Sequence, residues 1–120
     1  MACVKFIELK GRRILFIDFA FSSMKDIIST IEEASLIIEK QSPLSVLCLV
    51  DVRESSYDNT ISEKLKIFTS HNMPYMKVTA IAGVEKTKKV IYQAVTAFTG
   101  RKNLILKDTV EEGANWLAAQ

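Results

Sequence analysis

The sequence predicts an α/β domain built on a mostly parallel, five-stranded mixed sheet, and three observations carry that expectation. Two strand patterns stand close together at the N-terminus, split only by a Lys-Gly turn. Downstream, amphipathic helical segments alternate with short apolar strands through brief connections. Leu44 to Val52 is a nearly unbroken apolar run, as expected of a central strand covered on both faces. Such alternation requires crossovers, which make neighbouring strands parallel and right-handed βαβ units the rule. The resulting order is β-β-α-β-α-β-α-β-α over residues 1–120, one domain without linker, repeat or low-complexity tract.

Val4 to Leu9 alternates and reads as a strand. Lys10-Gly11-Arg12 is a turn and Arg13 to Phe19 a second, mostly apolar strand, so the pair is a hairpin. From Met24 to Gln41 the period becomes helical. Met24, Ile27, Ile28, Ile31, Ser35 and Ile38 recur at steps of three and four, while Lys25, Glu32, Glu33, Glu39 and Lys40 lie mainly elsewhere on the wheel. Ser23, three residues before Asp26, is the expected N-cap, and Ser42-Pro43 stops the helix. After the strand Leu44 to Val52, Thr60-Ile61-Ser62-Glu63 has the capping-box pattern with Thr60 as N-cap. It opens a helix with Ile61, Leu65 and Phe68 on one face, closing near His71-Asn72 ahead of Pro74. Met76 to Ala82 is a strand ended by Gly83. Val90, Ile91, Ala94, Val95 and Phe98 form the buried stripe of the next helix, with Gly100 as its stop. Asn103 to Leu106 is a short strand. Thr109, three residues before Glu112, starts a last helix carrying Ala114, Trp116 and Leu117.

Composition narrows function by exclusion. The chain is 48% apolar and 25% charged, the balance of an ordinary globular protein. Its 16 basic and 14 acidic residues are interspersed and leave a net charge of +2, too little to steer a nucleic acid toward it. The longest apolar runs, Ile14 to Ile17 and Val46 to Val50, fall far short of the ~18 residues of a membrane span. The opening MACVKFIELK lacks the basic and then apolar build of a signal peptide, so a cytoplasmic setting is expected. Cys3 and Cys48 are the only cysteines and His71 the only histidine, which excludes a Cys/His metal framework or a His-based triad within one chain. Neither metal nor cofactor is expected, and no assembled catalytic group points to an enzyme.

Several short pieces then occur in a telling order. Val50-Asp51-Val52-Arg53 ends the third strand. Lys77-Val78-Thr79-Ala80-Ile81-Ala82-Gly83-Val84 follows, then Lys89-Val90-Ile91-Tyr92, Phe98-Thr99-Gly100-Arg101 and the closing Glu111-Glu112-Gly113-Ala114-Asn115-Trp116-Leu117. In this order the chain resembles the SpoIIAA-like family, the STAS/CRAL-TRIO type of β/α domain, over nearly its whole length. The resemblance implies a regulatory or ligand-sensing module that acts through a protein partner or through self-association, not an enzyme. In STAS-type anti-sigma antagonists, a Ser or Thr at the start of the helix after the third strand is phosphorylated by a partner kinase. The family pattern is Asp, Ser, Ser or Thr, then Gly. Here the matching stretch is Asp58-Asn59-Thr60-Ile61, with Asn59 at the usual acceptor position and Ile61 at that of the Gly. Thr60, Ser55 and Ser56 remain as candidate phosphoacceptors. A phosphate there would gain from the helix N–H groups and dipole. The competing reading of Thr60 is the helix cap.

Asp18, Asp51, Glu54 and Asp58 fall at or beyond the C-terminal edge of the sheet, where open α/β proteins place ligand sites. Asp18, Phe19, Phe21, Asp51, Arg53, Glu54 and Tyr57 are therefore the candidate ligand or partner loops. Asp18 and Asp51 also make an acidic pair of the kind that holds Mg²⁺, with Lys107 the candidate lysine. Strand-end caps or surface charges are the expected reading of these acids. Phe19 and Phe21, if exposed, mark a partner surface or an apolar-ligand surface. A small apolar or lipid-like ligand is the alternative function, and it requires an apolar cavity of several hundred Å³. Tyr57, Tyr75, Tyr92, Phe21 and Trp116 are candidates to line a pocket. Lys86, Lys88 and Lys89 follow Gly83 without the second Gly of a phosphate-binding loop and read as a solvated helix face. A homodimer is expected because Ile14 to Ile17 must be hidden from water.

Overall fold

The computed structural model describes residues 2–85 and 103–120. Strands β1 (Cys3–Leu9) and β2 (Arg12–Asp18) form the expected hairpin, in register from Cys3 opposite Asp18 to Leu9 opposite Arg12. Lys10 and Gly11 join them with φ of 52° and 77°, the doubly left-handed turn whose twist matches that of the strands. Strands β3 (Val46–Asp51), β4 (Met76–Ala82) and β5 (Leu104–Lys107) add in parallel. Spatial order is the same as chain order, β1-β2-β3-β4-β5.

That order decides where the helices lie. Right-handed crossovers that always step in one direction put their helices on one face. Helices α1 (Met24–Ile38) and α2 (Asn59–Asn72) share that face, with Ile27, Ile31, Ala34 and Ile38 packed beside Ile61, Leu65 and Phe68. Helix α3 (Val110–Ala118) covers the other face, with Ala114 and Leu117 against Ile14, Leu47, Leu49 and Ala80. All six residues of β3 are buried: Val46, Cys48 and Val50 meet α1 and α2, while Leu47 and Leu49 meet α3. Two covered faces account for the unbroken apolar run in the sequence.

The caps of two helices follow the sequence. Ser23 accepts a hydrogen bond from Asp26 N, and Thr109 accepts one from Glu112 N. Four expectations are corrected. β3 begins at Val46 rather than Leu44, because Leu44 is exposed at φ 53°, in a corner where its N–H donates to Pro74 O. α1 ends at Ile38 rather than Gln41. Lys40 N and Gln41 N donate to Ile37 O and Ile38 O, an i to i−3 pattern that closes the last turn. Met24 is exposed, not part of the buried stripe. Finally Ile14, Leu15 and Ile17 are wholly buried within the chain, so they give no reason for a partner to cover them.

The helix expected through Val90, Ile91, Ala94, Val95 and Phe98, its stop Gly100, and Lys86, Lys88, Lys89, Tyr92, Arg101 and Lys102 lie outside the described residues. Among those described, no helix is long and apolar enough to cross a membrane.

Candidate interaction site at the C-terminal edge of the sheet

β2 and β3 end side by side on Asp18 and Asp51, which are register partners. Their pairing continues past the strands. Phe19 N donates to Asp51 O at 2.8 Å, Phe21 N to Arg53 O at 2.9 Å and Ser56 N to Ser22 O at 3.1 Å. Val52 N reaches Ala82 O at 3.0 Å, which ties the second loop to β4. The two loops are thus held to each other and to the sheet by backbone bonds.

The two aspartates have different tasks. Asp18 caps its own strand end, its Oδ1 accepting from Ala20 N at 2.9 Å. Asp51 is only 1% exposed, a correction to its reading as a surface charge. Its Oδ1 accepts from Arg53 N at 3.1 Å, and both carboxylate oxygens accept from the Arg53 guanidinium at 2.9 to 3.2 Å. A buried carboxylate is sustained only by such pairing. The hydrogen bond to Asp51, then the charge of Asp51 and, last, that of Asp18 raise the Arg53 pKa above its ordinary value. Arg53 therefore stays a cation throughout the accessible pH range, and its side chain remains 54% exposed. Among the described residues, no three His, Cys, Asp or Glu side chains gather as a metal cluster.

Gly83 makes this arrangement fit. Its φ is 79°, and a Cβ there would collide with Arg53 Cγ and stand 3.2 Å from Arg53 N. The end of β4 passes directly beneath the arginine stem.

The two phenylalanines separate. Phe19 is buried (2% exposed) in the core beneath α1 and α2, so it is not part of an exposed loop. Phe21 is 67% exposed with φ 56°, and Arg53 Cζ lies 5.9 Å from its ring centroid. Glu54 is exposed with φ 49°. Non-glycine residues at positive φ cost on the order of 1 kcal/mol or more and persist only where their surroundings impose them. The zipped loops impose them here. Phe21, Arg53 and Glu54 thus reach solvent together as a fixed rim that joins an aromatic ring, a permanent cation and a carboxylate.

Among the described residues, the other candidate aromatics lie apart from Phe21. Tyr57 and Tyr75 pack against the core under α1 and α2, whereas Trp116 packs on the α3 side, with Lys107 Nζ 6.0 Å from its ring. An apolar groove of about 420 Å³ lies between α1 and α2, lined by Ile31, Leu36, Ile67 and Phe68 among others, and no residue of the candidate loops lines it.

No protein-family model matches the chain, and no curated protein matches it. Among solved structures, an anti-sigma-factor antagonist (STAS) domain protein from Planctomyces limnophilus aligns with a TM-score of 0.64 at 11% identity. The alignment covers 99% of this chain and 100% of that one. The chain has the STAS fold. The SpoIIAA-like resemblance in the sequence fits that match.

In this STAS fold, the segment ahead of α2 corrects the sequence reading of the cap. Asp58, not Thr60, is the N-cap, and its Oδ1 accepts from Ile61 N at 2.8 Å. A carboxylate is a charge-assisted acceptor and also complements the positive helix end, so it prevails over a hydroxyl two residues later. Glu63 pairs with Lys66 at 3.3 Å. Thr60 stands exposed in the first turn. Ser56 is half-buried, and Ser55 is buried with its hydroxyl donating to Val52 O at 2.9 Å, a poor position for an acceptor that a kinase must reach. Asp58→Ala is expected to destabilise the chain by about 1 kcal/mol, and Thr60→Ala by less than about 0.5 kcal/mol. Urea unfolding of the two variants checks the ranking.

Proposed function

We propose that this chain is a non-catalytic regulatory module, antagonist-like in the STAS sense, which presents the Phe21–Arg53–Glu54 rim to a protein partner. The observation that supports this reading is Phe21, an aromatic ring held in water on a strained backbone beside a cation pinned by Asp51. Aromatic and arginine side chains held in place are the chemistry of interface hot spots, since little entropy is lost when they dock. Asp51 is engaged through both oxygens by Arg53, and Asp18 accepts from Ala20 N, so both carboxylates have structural tasks at the strand ends. The order of the described strands also contains no reversal point, the place where open α/β sheets form a ligand crevice. Recognition through exposed loop side chains suits such a sheet better than capture in a cleft. The setting is cytoplasmic, with Cys3 and Cys48 as thiols. Thr60 and Ser56 are the candidate phosphoacceptors that would modulate the rim. A small apolar ligand, the alternative, would occupy the groove between α1 and α2 instead.

The test uses Phe21→Ala combined with Glu54→Lys, which leaves the Asp51–Arg53 pair in place. Leu44→Ala serves as a control on an exposed apolar residue at the other end of β3. Quantitative capture of partner proteins should fall by roughly tenfold or more for the double variant and stay unchanged for the control. Equal capture by all three proteins would refute the rim as the binding surface.

A further inference from the structure

We infer that the outer face of α1 and α2 is a homodimer interface, on which a second copy of this chain packs about a two-fold axis parallel to the helices. This surface is separate from the Phe21 rim, so the inference stands or falls independently of the function proposed for that rim.

The lips of the groove between these helices carry Leu36, 58% exposed, and Ile67, 66% exposed, over a floor that includes Ile31 and Phe68. Large apolar side chains displayed on both lips of an apolar groove mark an interaction surface. Charge identifies the occupant. Both helices run back from the same edge of parallel strands and so point the same way. Their relative level is set by the contact of His71 Nε2 with Glu39 Oε2 at 3.3 Å, residues 32 positions apart. Seven residues earlier on each helix, about two turns and hence the same face, stand Glu32 on α1 and Lys64 on α2. They are again level, on opposite lips, and both line the groove. Neither forms an ion pair among the described residues.

A two-fold axis along the groove lays α1 of one copy on α2 of the other at the same level and in the same direction. Glu32 then meets Lys64 of the second copy, twice over, and one turn further Leu36 meets Ile67 of the second copy. An isologous interface requires this self-complementarity of one surface. Opposed charges flanking an apolar seam also fix its register. An apolar small molecule would have no use for the charges.

Sedimentation velocity on the full chain, from roughly 1 to 300 µM, tests the inference across the range of ordinary homodimer affinities. A dimer is expected. Glu32→Lys alone, or Lys64→Glu alone, should weaken it about tenfold by placing like charges opposite each other, and the two combined should restore it. Both residues are exposed, and circular dichroism confirms that each variant is folded. Three outcomes overturn the inference: a monomer over the whole range, a dimer indifferent to both reversals, or a combined variant no better than either alone. If the chain is monomeric and binds the apolar dye anilinonaphthalene sulfonate, and Ile67→Asp abolishes that binding, the groove belongs to a small ligand and the dimer is refuted.

Discussion

Phe19→Ala is expected to cost about 3–5 kcal/mol of folding stability, the usual loss for deleting a buried aromatic side chain. Phe19 is among the largest wholly buried side chains and packs in the core shared by α1, α2 and the sheet. Its N–H also opens the backbone zipper by donating to Asp51 O. Collapse around the cavity is therefore restrained, which places the loss toward the upper end. Phe21→Ala, two residues away, should shift stability by less than about 0.5 kcal/mol, because its ring is in water. Denaturant unfolding of the two variants reads this contrast directly. Comparable losses at both positions would mean that the Phe21 ring is packed after all.

Gly83→Ala should cost about 2–3 kcal/mol. Placing an L-residue at a φ of 79° accounts for roughly 1–2 kcal/mol, and the collision with the arginine stem adds the rest. Because the new methyl group meets Arg53 Cγ, the loss is coupled to that side chain. Combining Gly83→Ala with Arg53→Ala should destabilise by less than the sum of the single changes. Strict additivity of the two would show that the collision is relieved elsewhere, with only the backbone term remaining.

Much of the fold is legible in the sequence because it rests on local periodicity. Met76 to Ala82 is the β4 strand to the residue, and Ser23 and Thr109 cap their helices as their spacing from Asp26 and Glu112 implies. The site is less legible because its features are tertiary. Continued strand alternation would put Phe19 and Phe21 on one face, and only the turn to positive φ at Phe21 sends the second ring outward. Nothing local distinguishes an Asp at a strand end that is solvated from one buried under an arginine two residues on. That outcome depends on Gly83, a residue about 30 positions away, leaving room for the stem. Ahead of α2, two cap signals overlap, and periodicity cannot rank Asp58 against Thr60. Leu36 and Ile67 lie off the buried stripes of their helices, which is the one sequence signal for the groove they border.

The order of strands in space has a consequence for how the chain is built. Each strand pairs with the one made just before it, so the growing chain never has to insert a strand between two that are already joined. The hairpin of β1 and β2 is local and closes on a microsecond scale. Every later strand finds its docking edge already present when it leaves the ribosome. Growth proceeds at one edge only, and β1, the far edge, is complete from the beginning. A chain of this connectivity can assemble its sheet in the direction and order of its own synthesis.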